Sequence, residues 1–196
     1  MGDGIKRNEK IARERIKKTS IPSLMKSKAI FFDRDGVINK RIVGGYVRSW
    51  DGFHFLPDVG ETLKEVKDRG YIAIIISNQR GVGLGIMTDA DLDSIHTRMQ
   101  KELVEKYGVE FDDIIISTDA SNDSKRRKPS PAMLLEAQKK YDIDMAMSWM
   151  IGDTTSDIEA GIGAGTKTAF LLNEHDTPPE NATISLTSLK DILIYV

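Results

Sequence analysis

The chain has 196 residues, 40% of them hydrophobic and 30% charged, with a formal net charge of −2. These are the proportions of an ordinary soluble globular protein long enough for one domain with a substantial core. It contains no cysteine, which excludes disulfides and thiolate metal sites. No run approaches the ~18 apolar residues a membrane span needs. The first residues lack the apolar stretch of a secretion signal, so a cytoplasmic protein with no membrane partner is expected.

Residues 1–28 carry nine Lys/Arg against three Asp/Glu, which leaves residues 29–196 at −8. Within 8–18 the composition favours helix, but Ile11, Ala12 and Ile16 make only a thin apolar stripe. The segment reads as a basic, solvated extension ahead of a domain over 29–196. The acidic body argues against a nucleic-acid partner. In chain order, 29–32 is a short buried strand, 61–69 a helix stopped by Gly70, and 71–76 a second buried strand. Thr88 opens a helix with Leu92, Ile95, Met99, Leu103 and Val104 on one side. A strand over 111–117, a helix over 131–141, a strand over 147–151, a helix over 156–163 and a strand over 166–172 follow, with a terminal helix over 186–194. This alternation predicts an α/β fold, a three-layer Rossmann-like parallel sheet with helices on both faces. The stretch from Asn39 to Phe55 is too short for a large cap domain. An open site is therefore expected, covered by a flap at 40–50 and a loop at 118–127.

Four polar clusters fall at the carboxyl ends of strands or just before helices, where open parallel sheets bind ligands. Asp33 and Asp35 come first, two residues apart, so extended backbone sends both side chains into one small volume. Two such carboxylates do not both stay ionised without a cation or a shared proton. The pair points to a metal, a proton in transit, or both; an Asp-x-Asp-Gly turn is the plain alternative. Ser77-Asn78-Gln79-Arg80 follows the second strand, Arg127-Lys128-Pro129 precedes a helix, and Gly152-Asp153 with Asp157 follows the strand at 147–151.

With these clusters the chain resembles the haloacid dehalogenase superfamily of phosphohydrolases from residue 29 to about 172. Asp33-Arg34-Asp35-Gly36 matches its first motif, Ser77-Asn78-Gln79 the second, Lys128-Pro129 the third, and Asp153 with Asp157 the fourth. Gly45-Tyr46-Val47, Asn78-Gln79 and Arg127-Lys128-Pro129 resemble the branch of heptose-bisphosphate and histidinol-phosphate phosphatases. The resemblance implies phosphomonoester hydrolysis through an aspartyl-phosphate, with Asp33 as nucleophile and Asp35 as general acid and base. It implies Mg²⁺ held by Asp33, Asp153 and the backbone carbonyl of Asp35, with Asp157 behind them. Ser77 and Lys128 stabilise phosphoryl charge in that scheme, and Tyr46, Asn78, Gln79, Arg80 and Arg127 meet substrate.

Two departures stand out. Relatives often carry a zinc loop of cysteines and a histidine before Arg-Lys-Pro. Residues 117–124 have neither, so no zinc is expected and the loop must be held by hydrogen bonds or be more mobile. Relatives also often have lysine after the fourth-motif aspartate, where Thr154 stands here. His54, His96 and His175 share no ligand spacing, Lys125 and Arg126 read as solvated, and Gly81 to Gly85 lets the backbone turn. The expected substrate is a small phosphorylated sugar, first a heptose 1,7-bisphosphate, with a monomer or weak homo-oligomer as the working unit. Histidinol phosphate, a 3′-phosphate on a nucleic-acid end, and a non-catalytic sugar-phosphate binder are the alternatives.

Overall fold

The computed structural model describes residues 26–121, 123–173 and 177–196. The basic segment before residue 26 and His175 lie outside the described residues. The strands β1 (Lys28–Phe32), β2 (Tyr71–Asn78), β3 (Asp113–Ser117), β4 (Trp149–Gly152), β5 (Lys167–Leu171) and β6 (Ile184–Leu186) form one sheet in the order β3-β2-β1-β4-β5-β6. Every neighbouring pair is parallel. Such strands are covered on both faces, which is why β1 and β2 read as near-continuous apolar runs.

Alternate residues of β1 divide the core. Ile30 and Phe32 face a layer made by α1 (Val59–Asp68), α3 (Asp89–Tyr107) and a 3₁₀ segment at Leu189–Ile194. Ala29 and Phe31 face α4 (Ala132–Tyr141) and α5 (Thr155–Ala164). The α3 stripe is Leu92, Ile95, Met99 and Leu103, all buried, with His96 beside them and Val104 half-exposed. Thr88 starts that helix with a reciprocal cap: its hydroxyl accepts from Asp91 N–H, and the Asp91 carboxylate accepts from Thr88 N–H.

The chain departs from the expected elements in three places. The terminal segment is not a helix from 186: Leu186 closes β6, and 3₁₀ geometry spans Leu189–Ile194. Leu189 and Ile192, three apart, suit the tighter pitch and are both buried. The third strand begins at Asp113, because Phe111 is diverted. Its N–H donates to Gln100 Oε1, its carbonyl accepts from Gln100 Nε2, and its ring packs edge-on against Phe32. A short helix α2 (Arg80–Gly83) also follows β2 directly. Gly83 belongs there for space, since a Cβ would lie 2.1 Å from the Thr118 carbonyl.

Strand order reverses between β1 and β4, because the chain builds outward from β1 to β3, then returns and builds outward from β4 to β6. A crevice opens at the carboxyl ends of strands on either side of such a reversal. Asp33 follows β1 there and Asp153 follows β4, with the Asp33 N–H donating to the Ile151 carbonyl at 2.9 Å.

Candidate active site

Lys128 sits at the centre of the crevice, 3% exposed. Its Nζ lies 2.6 Å from Asp33 Oδ1 and 2.6 Å from Asp157 Oδ1, and donates to the Ile76 carbonyl at 2.7 Å. Three partners satisfy all three ammonium protons. Burial alone would lower the Lys128 pKa, but Asp157 and Asp33 outweigh it and raise it, so the lysine stays charged. The loop carrying it is clasped by Asn78, whose Nδ2 donates to the Lys128 carbonyl and whose Oδ1 accepts from Lys128 N–H.

Asp33, Asp153 and Asp157 converge so that one oxygen of each lies within 4.8 Å of the others. Burial pushes the Asp33 carboxyl up to about 6, with Lys128 opposing and Asp157 and Asp35 adding to it. Burial, then Asp33 and Asp157, push Asp153 up to about 7 against the pull of Arg41 and Lys128. Lys128 and Arg41, the latter paired with Asp153 Oδ2 from a half-exposed side chain, leave three buried carboxylates one positive charge short. Asp153 Oδ1 is buried and has no hydrogen-bond partner among the described residues. Gly36 keeps the space beside it: a Cβ there would stand 2.0 Å from Asp153 Oδ2. An all-carboxylate set with a charge deficit and an unpartnered oxygen fits a hard divalent cation.

The expected ligand set counted the backbone carbonyl of Asp35 and not its side chain. The Asp35 carboxylate is outside the acidic cluster and faces donors instead. Arg34 Nη2 donates to both its oxygens at 2.9 and 2.8 Å, Asn39 Nδ2 to Oδ1 at 2.9 Å, and Gln79 Nε2 to Oδ2 at 2.8 Å. Burial would raise the Asp35 pKa, yet Arg34, Asn39 and Gln79 together hold it below the usual value. Only its backbone carbonyl is left for the role expected of Asp35 at a metal. Asp157 joins the cluster, but Lys128 takes its Oδ1, and Thr154 N–H and hydroxyl both donate to Oδ2 at 3.0 and 2.6 Å.

A cavity of about 230 Å³ opens beside Lys128 and Asp157, lined by Asp35, Tyr46, Asn78, Arg80, Arg127 and Lys128 among others, while Asp153 lines a separate hollow with Gly36 and Arg41. Arg80 Nε and Arg127 Nη1 are buried without a partner among the described residues. The flap forms one wall through Arg41, Ile42, Gly45, Tyr46 and Val47. Gln79, expected to read substrate, is only 4% exposed and bridges Asp35 and the Ser77 hydroxyl. Ser77 itself is fully buried. A larger hollow of about 460 Å³ between 50–61 and the end of α3 contains none of these residues.

The 118–127 loop is laced by hydrogen bonds. The Ser124 hydroxyl donates to Asp119 and accepts from the N–H groups of Arg126 and Arg127 at 3.1 and 3.2 Å. Arg126 keeps 43% of its side chain exposed, as a solvated residue would, while pairing with Glu136 on α4 and donating to the Ile116 carbonyl.

Arg34, Asn39, Arg41 and His96 are the contributors that motif reading passed over. For Arg34 a signal existed: it lies between Asp33 and Asp35 in the opposite phase of extended backbone, so it must face a covering helix. Arg34 is fully buried, and its Nη1 meets His96 Nε2 on α3 at 3.3 Å. Arg41 carried no such signal. It reaches from the flap to Asp153 Oδ2 at 3.0 Å.

The reversed-order parallel sheet and its carboxylate–lysine centre define a haloacid-dehalogenase-type hydrolase scaffold, and a HAD-hydrolase-like family model matches residues 125–191. The D-glycero-beta-D-manno-heptose-1,7-bisphosphate 7-phosphatase of Helicobacter pylori (strain J99) is 34% identical over 87% of this chain and 97% of its own length. The alpha-anomer counterpart of Photorhabdus laumondii is 39% identical over 82% of this chain and 92% of its own. The crystal structure of a D,D-heptose 1,7-bisphosphate phosphatase from B. bronchiseptica with magnesium and phosphate superposes with a TM-score of 0.77 at 25% identity, over 86% of this chain and 99% of that one. The chain belongs to the heptose-bisphosphate phosphatase branch of the haloacid dehalogenase superfamily.

Proposed function

We propose that the protein hydrolyses a phosphomonoester, removing the 7-phosphate of a D-glycero-D-manno-heptose 1,7-bisphosphate. The observation that carries the reading is Asp33 at the sheet reversal, held by a buried Lys128 at 2.6 Å below a cavity lined by Arg80 and Arg127. An Asp33 oxygen attacks phosphorus, a P–O bond to Asp33 forms, and the bond to the sugar oxygen breaks. Asp35 gives its proton to that departing oxygen, then takes one from the water that cleaves the aspartyl-phosphate, releasing inorganic phosphate. Lys128 and Ser77 balance charge on the phosphoryl oxygens.

In the substrate-free arrangement Asp35 is held ionised, which is the wrong state for a donor. An incoming phosphate dianion supplies the correction, because negative charge beside Asp35 raises its proton affinity against Arg34, Asn39 and Gln79. Mg²⁺ fits Asp33, Asp153 and the Asp35 carbonyl, and when bound it neutralises phosphate charge and orients the ester. No zinc is assigned, and a cytoplasmic setting suits a soluble sugar-phosphate substrate.

The second anionic group of the substrate has its counterpart in Arg80 and Arg127, whose Nε and Nη1 respectively are buried without a partner among the described residues. Histidinol phosphate offers an ammonium instead, which these guanidiniums repel. The test is Mg²⁺-dependent phosphate release from both anomers of the heptose bisphosphate, histidinol phosphate, hexose phosphates and a 3′-phosphorylated oligonucleotide. A tenfold preference in kcat/KM for one heptose anomer, about 1.4 kcal/mol, supports the substrate. Equal low turnover of all of them overturns it. Asp33→Asn should abolish turnover while leaving the fold intact, and full activity in that variant would remove the aspartyl-phosphate.

A further inference from the structure

His96 lies on α3, outside every cavity that holds the reacting groups, yet it is 8% exposed and set among Leu92, Ile95, Met99 and Leu103. A leucine would suit that apolar stripe better unless the imidazole has polar work. Its Nε2 meets Arg34 Nη1 at 3.3 Å, and the same guanidinium grips both Asp35 oxygens through Nη2. We propose that His96 is a positioning residue for the proton-transfer step: by accepting from Arg34 it fixes the guanidinium plane that orients Asp35.

The argument rests on rigidity. Guanidinium is planar, so holding Nη1 sets the direction of Nη2. Arg34 Nε is buried without a partner among the described residues, where the guanidinium's hydrogen bonds reach His96 and Asp35. His96 is in turn anchored on a 19-residue helix rather than a loop, and sites built on such elements are held more precisely. Burial, then the Arg34 charge, bring the imidazole down to about 4, so its lone pair is free to accept at neutral pH.

This inference depends on Asp35 being the proton donor, and the test separates the two. The sugar oxygen of a heptose bisphosphate needs a proton to leave; the phenolate of p-nitrophenyl phosphate does not. Asp35→Asn should therefore lose about 100-fold or more in kcat/KM, which stops at departure of the alcohol or phenol, on the sugar ester and far less on the aryl ester, while hydrolysis of the shared aspartyl-phosphate slows kcat on both. His96→Leu should follow it with a smaller loss, about tenfold in kcat/KM on the sugar ester, and little change in kcat/KM on the aryl ester. His96→Gln, whose amide oxygen also accepts, should recover most of the loss. If His96→Leu fails to fold, His96→Met carries the same comparison. Equal losses on both esters, or none, overturn the positioning role while leaving Asp35 in place. The same loss of kcat/KM on both esters in Asp35→Asn would overturn the role of Asp35 as proton donor and this inference together.

Discussion

Lys128 and Asp33 are separated by 95 positions in the chain and by 2.6 Å in the crevice. That ion pair joins the loop before α4 to the end of β1, and the second contact of Lys128, to Asp157, adds the start of α5. Removing one partner of a buried pair costs about 3–5 kcal/mol, because the remaining charge is left uncompensated. Lys128→Met should lose that much stability at pH 7.5 in urea unfolding, and lose turnover. The penalty should shrink toward pH 5, where the stranded carboxylates take up protons.

Metal removal and pH are linked through Asp33 and Asp153. Both folded pKa values, about 6 and about 7, lie above the unfolded value of 3.8. Such acids contribute stability that is complete below the unfolded pKa and lost as pH rises through the folded one. The metal-free protein should therefore weaken between about pH 4 and pH 7. A bound cation reverses this, so the rise in Tm on adding Mg²⁺ should grow from pH 5 to pH 8. Saturation at 100 times Kd gives about 2.7 kcal/mol, or about 5–10 °C for a chain of this size. A Tm increment independent of pH would break the link.

Arg41 occupies Asp153 Oδ2 from the flap, and its side chain is 51% exposed. It competes with any cation for that carboxylate. Arg41→Gln should bind Mg²⁺ several-fold more tightly by calorimetry. Amide exchange over 41–47 should be faster than in the parent protein without metal, and similar with it. Unchanged Mg²⁺ affinity in Arg41→Gln would mean that the pair has no bearing on the site.

Gly36 has φ +105°, and a Cβ there falls on the Asp153 carboxylate. Gly36→Ala should be destabilised by more than about 1 kcal/mol. It should also weaken Mg²⁺ binding, since Asp153 has to move. Strain without loss of metal affinity would show that Asp153 is dispensable for binding.

Much of this was legible in the residues. The apolar runs at 71–76 and 147–151 and the caps at Thr88 and Gly70 marked the alternation, because each is a local signal. β6 was not legible: a three-residue strand at an edge is too short to show a period. The clusters at Asp33, Ser77, Lys128 and Asp153 were legible as one place in the fold, since three fall at strand ends and the Lys128 cluster just before a helix. The division of labour among them was not. Gln79 and Asn78, read as substrate contacts, line the cavity and also hold Asp35 and the Lys128 loop, which only long-range geometry reveals. Arg41 and His96 act across 112 and 62 positions, and no spacing rule reaches that far.

One wall of the cavity comes from a flap with consecutive glycines at 44 and 45, and the 118–127 loop brings Arg127 to its lining. Neither segment contributes a strand or helix to the sheet that carries the reacting carboxylates. Much of the cavity lining thus comes from stretches separate from the strand ends that carry the carboxylates, Asn78 and Arg80, at and just after the end of β2, being the exception. Transplanting 40–49 or 118–127 from a relative with another preference should retune which ester is accepted while the hydrolytic centre keeps working, a modularity that makes this scaffold suited to loop grafting.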